Sequence, residues 1–396
     1  MKKSERDEYD KTYGLYKFKR PLPSEIESAM GLVGESILFK KLISADYERF
    51  YDPIKIPEEG DWLMTHKEFG QTYNEYIQND CYQVDPNHNV IYIHRFSSND
   101  DLIKDELFQN VIILLEAFFT GMKVCLYDEG TNYLNNNNEN DNENENNNNE
   151  NNNNNENNNN ENNNNNENNG ENNIENNNNM ENNVDNNNII KNAQNEKMAI
   201  NADQLLEKLK LEMPEDAYCV FGIIDNDLYT ESLSYNGKRL IKSTYCKRSI
   251  QDRVAIFSLA RFDPFFNFNG KINNLSKEQK YKISLILLKR ICNAITREIC
   301  YMFGMKNCIF LSCCMNGTNV TEFDNKQIEL CPICLRKLVT NIKANGEDIK
   351  TYRVKKPLIV FNRFVKMRDA LDNFAGIYEN EIKWFDARID FLKGLI

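Results

Sequence analysis

Histidine is scarce in this chain. Three occur among 396 residues, His66, His88 and His94. An imidazole-built metal site further along would have to draw its ligands from that early stretch. Long apolar runs are missing as well. None approaches the roughly 20 residues that span a bilayer as a helix, so no membrane partner is expected. The opening residues, Met1-Lys2-Lys3-Ser4-Glu5-Arg6-Asp7-Glu8, are too charged to begin a secretory leader. The expectation is a soluble protein of the cytoplasm or nucleus. There disulfides are disfavoured, so the 11 cysteines read as thiols or metal ligands.

An excess of basic charge is also absent. The formal net charge is −12. Twelve acidic residues, and no Lys or Arg, fall between Thr131 and Ile190, which accounts for the whole of that charge. That stretch is almost entirely Asn and Glu. It cannot bury enough apolar surface to offset the entropy of ordering, so it reads as a disordered, Asn-rich insert. A solvated loop is the plain reading, and an Asn-rich interaction tract is the other. The interspersed Glu residues lower aggregation tendency and favour the loop. The remainder is electroneutral and carries no basic footprint for nucleic acid.

Hydrophobic periodicity gives an α/β reading. Val90 to Ile93 and Lys123 to Tyr127 read as strands flanking a helix from Asp105 to Phe119, which suggests a crossover unit. Asn201 is placed to cap a helix from Ala202 to Leu211. Tyr218 to Ile224 and Val254 to Phe257 read as buried strands. Ser276 and Gln279 have capping-box spacing at the start of a long buried helix that Gly304 ends. Further helices are expected at Ser24 to Lys41, Pro332 to Ile342 and Arg368 to Phe391.

Cysteines supply the strongest chemical signal. Cys331-Pro332-Ile333-Cys334 is a C-x-x-C knuckle, and Cys308 with Cys313 can close a tetrahedral four-thiolate shell. Four thiolates with no open position describe a structural zinc site. Cys314 adjoins the cluster, but its side chain should point away from that of its neighbour.

Between Thr296 and Cys308 the chain reads T-R-E-I-C-Y-M-F-G-M-K-N-C. This resembles the archaemetzincin motif H-E-x-x-H-x-x-G-x-x-H-C-x4-C-x-M, followed by C-x-x-C. Gly304 falls at its glycine and Met315 at its Met-turn methionine. Asp61-Trp62-Leu63 with Gly70-Gln71-Thr72, and Ile256 to Arg261, are similar to further family blocks. The resemblance implies a zincin-like mixed sheet with a long active-site helix and a C-terminal four-cysteine zinc site. It divides the chain into a 1–59 extension, a 60–130 first half, the 131–198 insert and a 199–396 second half.

In the family, two histidines one turn apart and a third past the glycine hold a catalytic zinc, and the Glu beside the first takes a proton from its water. Here those positions hold Arg297, Tyr301 and Asn307, and only Glu298 remains. A guanidinium has no lone pair to give, a phenol ionises near pH 10, and a carboxamide oxygen is a poor zinc ligand. Glu298 is expected to pair with Arg297 or another cation. The reading is a pseudoprotease with one structural zinc, no catalytic ion and a peptide or protein partner bound along the strand Val254 to Arg261. The alternative is an active zinc metallopeptidase with an unconventional metal shell.

Overall fold

The computed structural model describes residues 18–96, 105–127, 189–191, 198–264, 276–318, 326–342 and 349–396 apart from Tyr235 and Ala375, together with Phe266 and Phe323. Most of the Asn/Glu stretch lies outside the described residues.

The frame is a five-stranded mixed sheet. Its strands are β1 (Val90–Phe96), β2 (Lys123–Tyr127), β5 (Ala217–Ile224), β8 (Cys246–Ser249) and β9 (Val254–Ser258), in the order β2-β1-β5-β9-β8. All neighbours run parallel except β8, which is antiparallel to β9. A smaller sheet has the order β3-β4-β6-β7 and is built from Ile189–Lys191, Met198–Asn201, Leu228–Leu233 and Arg239–Thr244. Strand β3 pairs antiparallel with β4.

The central strands β5 and β9 are buried on both faces because helices cover both. Ala255 and Phe257 of β9 face one core, and Val254 and Ile256 face the other. This is the period-two alternation of a strand. Helix α4 (Ala202–Leu211) covers the second face with Leu205, Leu206 and Leu209. Its cap is the predicted one, since the Asn201 side chain accepts from the Asp203 N–H at 2.9 Å. On the first face lie α3 (Asp105–Phe118) and the 26-residue α5 (Lys277–Met302). The α5 capping box forms as expected, with Gln279 N–H to Ser276 Oγ at 3.2 Å and Ser276 N–H to Gln279 Oε1 at 2.9 Å.

Three expectations are corrected. The Ser24 to Lys41 helix is two helices, α1 (Pro23–Met30) and α2 (Ile37–Ser44), divided at Gly31, whose φ is +60°. The Arg368 to Phe391 helix is likewise the end of α7 (Ile349–Asp372) and all of α8 (Glu379–Lys393), with Gly376 at φ +84° between them. Each glycine supplies a left-handed residue that an α-helix cannot contain. Third, β9 is not an edge strand. It is flanked by β5 and β8, so the edges of the sheet among the described strands are β2 and β8.

Described residues of the 18–59 segment pack against the rest of the protein. Met30, Phe39, Leu42 and Ile43 enter the main core. Arg388 donates to Ala45 O at 2.7 Å and Leu42 O at 3.1 Å, and Glu35 accepts from Arg336 and Lys356, each at 2.9 Å.

Candidate functional site

Helix α5 is amphipathic at its start and largely buried from Leu287 onward. Its last two turns place Arg297 and Tyr301 on one face, one turn apart, with Glu298 beside them. Gly304 then turns the chain at φ +79°. The turn is tight, for a Cβ on Gly304 would meet the Asp80 carbonyl oxygen at 1.6 Å. The chain returns to bring Asn307 opposite the helix.

These three side chains meet. Asn307 Oδ1 accepts from Tyr301 Oη and, at 3.3 Å, from Arg297 Nη2. Its Nδ2 donates to Glu68 Oε1 at 2.6 Å, and Glu68 also accepts from the Trp62 indole at 2.8 Å. Trp62 stacks on His66 at 3.5 Å and seals against Gly317, where a Cβ would lie 2.2 Å from the indole ring. The segment Asp61 to Asp80 thus clasps the end of α5. Gln71 fastens it further, donating to Gly304 O and to Asp80, each at 3.0 Å.

Glu298 is occupied as expected, mainly by a cation the sequence did not suggest. Arg248 of β8 donates to its Oε2, as does Cys246 Sγ at 3.3 Å. Arg297 Nη1 lies 3.7 Å from Oε1. Burial would lower the Arg297 pKa, but Tyr301 and Glu298 outweigh it and hold the guanidinium charged. Burial pushes the Tyr301 phenol up, against the phenolate a metal would need, although the nearby guanidinia oppose that rise. Tyr245 is pushed up to about 12, by burial first and then by the Glu298 charge.

A zinc ion does not fit here. The three converging positions present a cation and two groups already hydrogen-bonded to each other. No histidine assists, for His88 pairs with Asp85, His94 lies beside Phe96 and Tyr127, and His66 is stacked on Trp62.

The cysteines present a different donor set. The sulfurs of Cys308, Cys313, Cys331 and Cys334 lie within 4.8 Å of one another, and all four residues are buried. Cys308 and Cys331 have their sulfurs 3.7 Å apart. A tetrahedral shell with bonds of about 2.3 Å sets sulfurs roughly 3.8 Å apart, so the cluster fits zinc. Cys313 Sγ also accepts backbone N–H groups from Cys331 at 3.2 Å and Met315 at 3.4 Å. The Cys308 thiol is held well below its usual range by hydrogen bonds from Cys313, Cys331 and Cys334.

Asn316, which the motif reading did not single out, staples the loop. Its Nδ2 donates to Cys308 O and Leu311 O, each at 2.9 Å, and its Oδ1 accepts from Cys313 N–H at 2.8 Å. Cys331 caps α6 (Pro332–Asn341), with Pro332 at its first position. Met315 is fully buried under the site. Cys314 points elsewhere as expected, its Sγ 3.6 Å from Thr296 Oγ1.

A long helix bearing the candidate residues, a mixed sheet with an antiparallel edge and a four-cysteine cluster that fits zinc make up an α/β protein. Sequence comparison finds relatives. Archaemetzincin-2 of Pongo abelii is 28% identical over 306 residues, 73% of this chain and 69% of that protein. Archaemetzincin-2 of Homo sapiens is 27% identical over the same coverage. The chain is thus similar to archaemetzincins over about three quarters of its length. Among solved structures, the archaemetzincin of Methanopyrus kandleri matches at 15% identity, covering 65% of this chain and 97% of that one with a TM-score of 0.36. No family model matches the chain. No helix among the described residues is long and apolar enough to cross a membrane.

Proposed function

We propose that this chain is a non-hydrolytic archaemetzincin, a pseudoprotease with one structural zinc at Cys308, Cys313, Cys331 and Cys334. It keeps the cleft as a binding site for a peptide or protein segment. One observation carries the reading. The positions that would hold a catalytic ion are joined to each other by hydrogen bonds, with the Arg297 guanidinium among them. Hydrolysis would need a metal-activated water beside Glu298. Glu298 instead pairs with Arg248 and stands 3.7 Å from Arg297.

The zinc at the cysteines contributes to folding, because the unfolded chain has no preformed site. The extended partner lies along β8, an edge strand among the described residues, and displaces the Thr244 hydroxyl from the Cys246 backbone as it adds. This replaces the expected β9 surface, which is paired on both sides.

Elemental analysis of the purified full chain tests the proposal. One zinc per chain is expected, and two would overturn it. Replacing Arg297, Tyr301 and Asn307 together by His should raise the count to two, since all three side chains already converge. Deleting residues 135–188 should leave partner binding intact, and its loss would move the function to the Asn-rich tract.

A further inference from the structure

The four cysteines stand on two unlike supports. Cys331 caps α6 and Cys334 lies in its first turn, so a helix opened by Pro332 fixes that pair. Cys308 and Cys313 lie on an irregular stretch with neither helix nor strand of its own. Single bridges join Leu311 to Pro53 and Cys308 to Asn316. Ser312 N–H also donates to Asp52 O at 2.8 Å.

One side chain spans the two cysteines of that stretch. Asn316 Nδ2 donates to the carbonyls of Cys308 and Leu311, each at 2.9 Å, and its Oδ1 accepts from the Cys313 N–H at 2.8 Å. The donor and acceptor sides of the amide are thus both spent on the loop that carries the first pair of thiols. Asn316 is held in turn. Its own carbonyl accepts from Lys326 Nζ at 2.6 Å, and the Lys326 carbonyl accepts from the fully buried Asn293 of α5 at 3.0 Å. A line of hydrogen bonds therefore runs from α5 through Lys326 and Asn316 to both cysteines. The Cys331 N–H donates to Cys313 Sγ at 3.2 Å, which sets this loop against the other pair.

We infer that Asn316 is a positioning residue for the zinc ion, holding Cys308 and Cys313 at ligating spacing in the folded chain before the metal arrives. Without that amide the ion itself must order the loop, and its affinity falls by the cost of doing so. A carboxamide suits the place, since it offers donor and acceptor at once and brings no charge beside four thiolates. Groups that orient metal ligands from outside the shell are worth about 10–100-fold in affinity. The inference rests on the zinc reading above.

The test uses the full chain. Zinc affinity is measured by competition with a chromophoric chelator, and unfolding is followed for the zinc-loaded and zinc-stripped forms. Asn316→Ala should bind zinc about 10–100-fold more weakly, and its loaded form should lose more stability than its stripped form. Asn341→Ala is the control for a purely structural loss. Asn341 ends α6, where it accepts from the Val84 N–H at 3.1 Å and donates to Tyr76 Oη at 2.8 Å. Its removal should lower both forms alike and leave zinc affinity within about twofold. Should Asn316→Ala fail to fold, hydrogen exchange of the zinc-stripped wild type decides. Slow exchange at the Cys313 amide supports a loop formed ahead of the metal, and free exchange overturns it. A loss below about tenfold in Asn316→Ala, or an equal loss in Asn341→Ala, would overturn the inference and leave the zinc site standing. A wild-type chain that binds no zinc would remove the zinc reading and this inference together.

Discussion

Replacing Gly304 by Ala tests whether the clasp around α5 is held by close approach or merely by a convenient turn. Two costs add. An L-residue at φ +79° loses roughly 1–2 kcal/mol for its left-handed backbone. The new Cβ also falls 1.6 Å from Asp80 O, a backbone atom that cannot swing aside. The Asp80 segment must retreat, which threatens the Gln71 bond to Gly304 O at 3.0 Å and the Tyr76 bond to Phe303 O at 2.8 Å. Each such bond is worth about 1 kcal/mol net. The sum is about 3–4 kcal/mol. Gly237 is the control, since its φ is +72° and a Cβ added there would meet nothing within 4 Å. Gly237→Ala should cost only the backbone part, about 1–2 kcal/mol. Urea unfolding of both variants measures the difference through the midpoints at constant m. Equal midpoint shifts would refute the steric argument, because the two sites share their backbone geometry and differ only in what stands beside them.

Other outcomes follow from the same contacts. Gly317→Ala should push Trp62 out of its seat, where the ring would lie 2.2 Å from the new Cβ, at about 1–3 kcal/mol. Tryptophan emission in a Trp384→Phe background should shift to the red, and an unchanged spectrum would contradict the contact. Cys331→Ser should abolish zinc binding and lower stability by several kcal/mol, on the order of a lost structural metal site; melting at the wild-type temperature would count against it. Glu35 is subject to burial, which raises its pKa, but Lys356 and Arg336 together pull it below the usual 4.5. Its ionised form therefore stabilises the fold above the unfolded pKa, and this is lost as pH falls through the folded value. The stability gap between wild type and Glu35→Gln should be largest near neutrality and shrink as pH falls below the usual 4.5 and through the lowered folded value. A gap independent of pH would show that the charge is not what matters.

Much of this was legible in the residues. Capping positions at Asn201 and Ser276, the buried strands and the crossover between β1 and β2 all follow from local pattern. The cysteine shell followed from spacing. What escaped was of two kinds. Two long helical patterns hid breaks at Gly31 and Gly376, because apolar residues on either side keep a helix-like rhythm across a left-handed turn. Strand β8, Cys-Lys-Arg-Ser, has no apolar alternation, since each face is satisfied by charge instead, Asp203 on one side and Glu298 on the other. That is why Arg248 could not be found from the motif. It lies 49 residues before Arg297 in the chain and reaches the site only through sheet order. Glu68 escaped for a like reason, since only the fold of the 61–80 segment brings it to Asn307.

The position of β2 has an evolutionary corollary. It is an outermost strand of the main sheet and ends at Tyr127, while β3, which begins at Ile189, belongs to the small sheet. The two described ends therefore lie in different sheets, and a change in the length of the chain between them leaves the pairing of both sheets as it is. The same seam is the natural place to divide the gene, with the two polypeptides expected to reassemble around β1 and β5.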